Sequence, residues 1–390
     1  MISKPIEQIN SADLDALLTG PVPEGRTLDY KRDLPGSTDA DKKEFLADVS
    51  SFANTVGGDL IFGIEEAAGV PTAIVGLGQA DLDAQQLRLD SMILTGIEPR
   101  IPYRLRALTA SNGVPVLILR VEQSWEAPHR VIFKQHDRFY GRSTAGKYAL
   151  DTGELRQAFL RTASIEEAIA RFRDERLVEI HSGRSPVNLP GPGRLVLHLV
   201  PLEAIAGRRR FSLASLQGCQ GQLRPMGTNG WNSRITLHGF MTVFNAGAEA
   251  WAYTHLYRSG IIEAVDGFIL NRELSGTRVL PSALFERQLL EATKDYVAVQ
   301  RNLGIAPPIY CFLSLLGAKG LIMDLGARFF PVHKSEPLSD DVVPIPESVL
   351  TVYDEGPEKL LREPIDTLWN AFGYEKSPNF DASGLWKPRN

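Results

Sequence analysis

Apolar and polar residues alternate through Thr27-Leu28-Asp29-Tyr30-Lys31, the period of two that marks a strand. Leu28 and Tyr30 take one face, and Asp29 and Lys31 the other. Downstream, Phe45, Val49 and Phe52 recur at i, i+4 and i+7, predicting a helix from Asp39 or Asp41 to Asn54. Gly57 and Gly58 end it, as glycine does beyond a helix C-terminus. Leu60 to Ile64 is a short apolar run that reads as a buried strand and delivers Glu65 and Glu66 at its exit. A strand, helix, strand unit of this kind makes its two strands parallel neighbours or near neighbours.

The same patterning runs along the rest of the chain. Ile6 to Leu18 reads as an amphipathic helix with Ile9, Leu14, Leu17 and Leu18 inward, and Leu82 to Leu94 as a second with Leu87 and Ile93 inward. Ile101 to Leu108 is a strand with Tyr103 and Leu105 on one face and Arg104 and Arg106 on the other. Asn112-Gly113 turns it into the strand Val114 to Val121. Strands at Val131 to Phe133 and Arg138 to Tyr140 follow, then helices at Leu155 to Arg161 and Ile165 to Leu177. Beyond a Pro/Gly-rich loop, Arg194 to Val200 is a buried strand with His198 as a core histidine. The segments Arg234 to Phe244, Ala250 to Tyr257 and Ile261 to Leu270 are spaced as an antiparallel meander. Ser282 to Leu303 carries a helical stripe from Phe285 to Val299, and Ile309 to Leu316 is a further central strand. After Val332 the chain turns acidic and proline-rich, with a short helix near Ile365 to Phe372 and Trp386 as an anchor for the tail. The fold class is therefore α+β: a mixed-sheet domain over 1–162, a helical linker and loop over 163–193, an α+β domain with an antiparallel sheet over 194–333, and an extension over 334–390.

Composition narrows the function classes. A chain of 390 residues accommodates more than one domain. No run approaches the ~18 apolar residues of a membrane span, and the polar start Met1-Ile-Ser-Lys-Pro5 carries no signal peptide, so a cytoplasmic protein without a membrane partner is expected. Two cysteines, Cys219 and Cys311, provide neither a disulfide framework nor a zinc knuckle. The net charge of −5 argues against a chain-wide polycation, while leaving room for a local basic groove.

The candidate chemistry gathers on the first unit. Parallel pairing brings Glu66 toward Asp29, and Glu24 stands at the entry of the first strand, so three carboxylates and Lys31 can converge. Converging carboxylates repel unless a cation lies between them, and hard oxygen ligands suit Mg²⁺ or Mn²⁺. A lysine beside them stabilises charge on a phosphoryl oxygen. The plain alternative is a set of solvated carboxylates at strand ends.

The phrase Ser51-Phe-Ala-Asn54-Thr55-Val-Gly57-Gly58-Asp-Leu-Ile-Phe-Gly63-Ile-Glu65-Glu66 resembles the signature of the Schlafen/AlbA-like (AlbA_2) domain, also known as a divergent AAA domain. Glu126-Ala-Pro-His129 and Arg138-Phe-Tyr-Gly-Arg142 resemble its later half, so the likeness spans roughly residues 20 to 160. In Schlafen nucleases an acidic triad and a basic partner do the work; carried over, these fall on Glu24, Asp29 and Glu66, with Lys31 as partner. Asp29 is a methylene shorter than the family's residue, and Glu66 a methylene longer. Those changes offset each other if a metal bridges the carboxylates, and mark a disused site if none does. The resemblance implies a metal-dependent endoribonuclease acting on tRNA-like RNA in antiphage defence or growth arrest. It also implies a phage-derived or small-molecule trigger sensed by the C-terminal domain. The rival readings are a non-catalytic nucleic-acid-binding transcriptional regulator and an ATP-binding regulator.

For the RNA backbone the candidates are Arg104, Arg106, Arg130, Lys134, Arg138, Arg142 and Lys147, with Phe139 and Tyr140 placed to stack bases. Basic residues alternating on strands are otherwise a solvated face. Gly141 to Lys147 nearly spells a P-loop, but Tyr148 replaces the Ser or Thr that binds Mg²⁺. The following helix signal, Asp151 to Glu154, comes too late to cradle phosphate. Only one copy of the signature occurs, whereas Schlafen cores carry two related lobes, so a homodimer sharing one basic channel is expected.

Overall fold

The computed structural model describes the chain except for residues 79–80, 125, 207–208, 247–248, 326–334 and 389–390. The chain is mixed α and β and divides into two compact units, Met1–Ser164 and Ile165–Asn390.

In the first unit, α1 (Ser11–Thr19) precedes β1 (Leu28–Lys31), α2 (Asp39–Ala53), β2 (Gly58–Phe62), β3 (Ile64–Ala67), β4 (Val70–Ile74) and α3 (Leu82–Gly96). There follow β5 (Ile97–Glu98), β6 (Tyr103–Thr109), β7 (Pro115–Val121), β8 (Arg130–Phe133), β9 (His136–Ser143) and β10 (Gly146–Ala149). The helix α4 (Thr152–His181) runs through the division between the units. One sheet has the order β1-β2-β7-β6, and β1 and β2 are parallel, as the crossover requires. A second, antiparallel sheet has the order β10-β9-β8-β5, and β3 and β4 form a separate hairpin.

Both faces of the first sheet are covered. On one, Leu28, Tyr30, Ile61 and Ile118 pack with Ile6, Ile9, Leu14 and Leu17 of the N-terminal segment. On the other, Leu60, Phe62, Leu117 and Leu119 pack with Phe45, Val49 and Phe52 of α2, Leu89 and Ile93 of α3, and Val131 of β8. The period of two in β1 therefore sends Asp29 and Lys31 to the face occupied by α2 and the second sheet.

Three expectations change. The helix expected over Ile6 to Leu18 is a short 3₁₀ turn at Ile6–Gln8 followed by α1, because the Asn10 side chain caps a new helix by accepting from the Ala12 and Asp13 amides. In α3 the inward residues are Leu89 and Ile93, one turn apart; Leu87 is 71% exposed because it lies about 200° around the helix from Leu89. The two helices expected at Leu155 to Arg161 and Ile165 to Leu177 are one, α4, since nothing between them breaks the backbone ladder.

The second unit contains β11 (Arg194–Pro201), α5 (Leu202–Ala206), α6 (Leu213–Gln217), β12 (Asn232–Ile235), β13 (Gly239–Ala246), β14 (Glu249–Tyr257) and β15 (Ile262–Asp266). It continues through β16 (Glu273–Leu274), β17 (Thr277–Pro281), α7 (Ser282–Asn302), β18 (Ile309–Leu316), β19 (Ile322–Asp324), β20 (Val342–Pro344), β21 (Ser348–Leu350) and α8 (Pro357–Ala371). The antiparallel sheet has the order β12-β13-β14-β15-β11-β18-β20, with β21 also on β18. The boundary expected at 333–334 lies outside the described residues. The segment after it joins the body: Leu361, Ile365, Leu368 and Trp369 of α8 share a core with Phe285, Leu289 and Tyr296 of α7. The buried Glu286 carboxylate accepts hydrogen bonds from Trp369 Nε1 (2.8 Å), Asn379 Nδ2 (2.8 Å) and Trp386 Nε1 (2.8 Å), which anchors the tail as expected of Trp386. No helix among the described residues is long and apolar enough to cross a membrane.

Candidate functional site

The glycine-rich phrase that stood out in the sequence has a structural task. The Asn54 amide, at the C-terminus of α2, donates to the carbonyls of His129 (2.9 Å) and Tyr140 (2.8 Å) and accepts from the His129 amide (2.6 Å). One side chain thereby fastens the second sheet to α2. Gly57 holds φ at +74°, which favours glycine, and a Cβ on Gly58 would stand 2.3 Å from the Phe52 ring. Asn54→Ala leaves these buried groups unpaired, and a loss of about 1–3 kcal/mol in unfolding free energy is expected from denaturant titration.

What this fastening holds in place is a cluster of charges. Asp29 is buried. Its Oδ1 accepts from Lys31 Nζ at 3.2 Å, and its Oδ2 pairs with Arg142 Nη2 of β9 at 3.1 Å. Asp48, on the buried side of α2, pairs with Lys147 Nζ of β10 at 2.8 Å, Arg142 Nη1 at 3.6 Å and Lys31 Nζ at 3.8 Å. Lys147 also pairs with Glu44, one helical turn before Asp48. Arg142 lays its guanidinium 4.4 Å from the Phe52 ring centre and donates from Nε to Gly25 O at 2.9 Å.

Glu24 completes the outer end. Its Oε1 accepts from the Tyr30 amide at 2.7 Å, and its backbone amide donates to Gly69 O at 2.7 Å. Burial raises its carboxyl to about 7, and a hydrogen bond shared with Asp29 adds to the rise. Burial alone would raise Asp29 as well, but the bond from Glu24 and the nearby Lys31 and Arg142 outweigh it and hold Asp29 below the usual carboxylate range. Two carboxyls therefore share one proton, carried mainly by Glu24. Desolvation works against the charge on Lys31, yet Asp48 and Asp29 keep that ammonium's affinity for its proton above normal. Its side chain is 37% exposed, so it reaches both the carboxylates and solvent.

Of the expected acidic set, Glu24, Asp29 and Lys31 are together. Glu66 lies on the neighbouring hairpin, its Oε2 accepting from the Gly69 amide at 2.5 Å. As placed, the donors do not fit one cation: each Asp29 oxygen already faces a basic nitrogen, and the Glu66 carboxylate is turned to its own hairpin. Among the described residues no group of three or more His, Cys, Asp or Glu side chains is arranged to hold a metal ion.

The seven basic residues separate into three groups. Arg142 and Lys147 belong to the cluster just described. Arg104 and Arg106 lie on the opposite face of the first sheet, where Arg104 pairs with Glu7 (2.8 Å) and Arg106 donates to Ile6 O. On the second sheet, Arg130 pairs with Asp137 (3.0 Å) and Glu98 (3.4 Å), and Lys134 with Asp39 (2.7 Å). Arg138 is exposed with no acidic partner among the described residues. His129 is buried, and burial pulls its imidazole down to about 4, so it adds no positive charge there. Tyr140 is stacked on His136, and Phe139 meets Phe159 edge-on. Lys147 sits within β10 and the next helix starts at Thr152, which leaves the P-loop-like stretch without a helix N-terminus at its lysine.

Asp48 and Glu44 escaped the sequence reading. The available signal was an aspartate inside the apolar stripe, one position before Val49, where an unpaired carboxylate is costly.

Residues 24–151 match the protein-family model described as Schlafen, AlbA_2, which spans less than half of the chain. No curated protein matches. Among solved structures, the DIP2311 protein of Corynebacterium diphtheriae shares 23% identity over 34% of this chain, at a TM-score of 0.26. The chain covers 23% of that protein's length. The N-terminal domain of a RecG-related protein of Nitrosomonas europaea shares 22% identity over 33% of this chain and 82% of its own, also at 0.26.

Proposed function

We propose that the first unit engages RNA and cleaves a phosphodiester at the Glu24–Asp29–Lys31 end of the cluster. The observation that carries this reading is the partly exposed Lys31, 3.2 Å from Asp29, beside a Glu24 carboxyl that burial raises to about 7. A carboxyl titrating near neutrality is suited to take the proton of an attacking hydroxyl. Lys31 neutralises charge gathering on the phosphoryl oxygens. Asp29 and Arg142 are positioning residues: Arg142 fixes Asp29, and Asp29 raises Glu24. No step is routed through a divalent ion, because the donors do not fit one as they stand. The likeness of residues 24–151 to the Schlafen AlbA_2 model supports a structured RNA such as tRNA as substrate, and a two-fold dimer would supply a second lobe.

A second reading is favoured by a specific observation. Both Asp29 oxygens are already neutralised by the protein's own cations, as in a purely structural ion cluster. A non-catalytic RNA-binding regulator would use the same unit without turnover.

Incubation of purified full-length protein with labelled tRNA and an unpaired RNA, with EDTA and separately with Mg²⁺ or Mn²⁺, separates these readings. Discrete fragments from wild type and none from Asp29→Asn support cleavage. Cleavage persisting in EDTA supports the ion-free arrangement, and cleavage requiring Mn²⁺ would mean that the carboxylates rearrange around a metal. Saturable tRNA binding without fragments under every condition replaces the nuclease with the regulator.

A further inference from the structure

We infer that the second unit carries a binding site for a small phosphorylated ligand with a flat apolar part, of the size of a nucleoside monophosphate. The site is a cleft of about 510 Å³ lined by Arg210, Leu237, His238, Tyr257, Arg258 and Ser259. Its basic residues come from three backbone segments held side by side: the Arg258 amide donates to His238 O at 2.8 Å, and the Phe211 amide, next to Arg210, donates to Arg258 O at 2.8 Å. Arg210, His238 and Arg258 therefore converge through strand and loop pairing rather than through flexible reach.

The charges lining this cleft are of one sign. No acidic side chain lines it. Neighbouring Arg209 is tied to Glu203 and to the Gly304 carbonyl. Among the described residues, Arg210 and Arg258 have no ion pair and no side-chain hydrogen bond. Two unpaired guanidiniums facing one cleft in a chain of net charge −5 are held against mutual repulsion by the fold alone, and a dianion relieves that repulsion. Guanidinium forks match phosphate oxygens in geometry as well as charge. The Ser259 hydroxyl adds a donor of the kind phosphate accepts.

The remaining wall is apolar. Leu237 is 85% exposed at the rim. Tyr257 also lines the cleft, and its ring is held in place by His255, with ring centres 4.2 Å apart, and by Phe172 at 6.1 Å. Cations at one part and an apolar wall at another describe a ligand with a phosphate and a ring, the mixed lining that small-molecule sites show. An inorganic anion would leave Leu237 unused, and a long polyanion would extend beyond a cleft of this volume.

Isothermal titration of the full-length protein with AMP as probe tests this, with adenosine, inorganic phosphate and a single-stranded oligonucleotide as further arms. AMP is expected to bind at one site, adenosine not to bind measurably, and phosphate to bind at least about tenfold more weakly than AMP, a difference of ~1.4 kcal/mol. Arg210→Ala and Arg258→Ala should each weaken AMP about tenfold or more, with unchanged circular dichroism, since neither side chain supports a described contact. Leu237→Ser should weaken AMP and leave phosphate unaffected. The proposal is overturned if AMP does not saturate at millimolar concentration or if Arg258→Ala leaves its affinity unchanged. It is also overturned if phosphate binds as tightly as AMP, or if only the oligonucleotide depends on these arginines. Glu24→Gln, which alters the first unit, should leave AMP binding intact; loss there would place the ligand at the other site and defeat the inference.

Discussion

Glu263→Ala should destabilise the protein by about 3–5 kcal/mol, the cost of removing one partner from a buried ion pair. Glu263 lies on β15 with no exposed surface. It accepts from Arg176 Nε at 2.7 Å and Nη2 at 3.0 Å, from the Tyr253 hydroxyl at 2.9 Å, and lies 3.0 Å from His198 Nε2. Burial alone would raise its carboxyl, but His198 and Arg176 outweigh burial and hold it well below the usual carboxylate range. Alanine strips the counter-charge from Arg176 and the acceptor from Tyr253 together. The cost should come from the stranded guanidinium rather than from lost packing, because replacing a whole buried pair by apolar groups is often neutral. Glu263→Leu with Arg176→Met should therefore recover much of the loss. Urea unfolding followed by tryptophan fluorescence measures both variants, and equal losses for single and double variants would show that packing dominates.

That cluster also shows where sequence patterning stops being informative. Glu263 interrupts the apolar run Ile261-Ile-Glu-Ala-Val265, so a buried acid in need of a partner was legible. The partner was not: Arg176 sits in a segment that reads as a helical linker, and only the packing of α4 on β11 and β15 picks it out. The first unit divides the same way. Strand, helix and strand followed from local periods of two and 3.6, and the shared face of Asp29 and Lys31 followed from the strand alone. The sequence pattern puts Arg142 and Lys147 among the nucleic-acid-surface candidates, because alternation tells which residues share a face but not what that face meets. Their meeting with Asp29 and Asp48 depends on the β9–β10 hairpin lying over α2, which the Asn54 clamp secures from across the sequence. Arg104 and Arg106 illustrate the same limit: the strand pattern puts them on one face, and only the fold shows that this face meets the N-terminal segment, where Arg104 pairs with Glu7 and Arg106 donates to Ile6 O.

The largest effect on activity is expected from Glu24→Gln. Proton transfer by a positioned side chain contributes roughly 10²–10⁴-fold to rate, so kcat/KM for RNA cleavage should fall by about that factor. The wild-type pH profile should bend near pH 7, where Glu24 loses its proton, and the bend should be absent in the variant. Acting as a base, Glu24 makes the rate rise through this pH; a fall would assign it the role of acid instead. Stability supplies a readout that does not depend on turnover. Unfolded, a glutamate releases its proton near 4.5, whereas folded Glu24 keeps it to about 7. Between those values Glu24 binds more proton folded than unfolded, so its own contribution to stability declines as pH rises through the window, against the opposite contribution of buried His129 and His255, whose imidazoles are pulled down to about 4. Asp29 acts in the opposite sense and outside it, because its lowered carboxyl contributes stability that is lost only in more acidic solution. Glutamine carries no proton to release, so the stability of wild type relative to Glu24→Gln should fall between pH 5 and 7, while both proteins keep the same acid limb. Urea midpoints measured across that range for wild type and variant decide the matter: parallel curves would mean that Glu24 and Asp29 do not share a proton, and the proposed catalytic pair would have to be abandoned whatever the RNA assay shows.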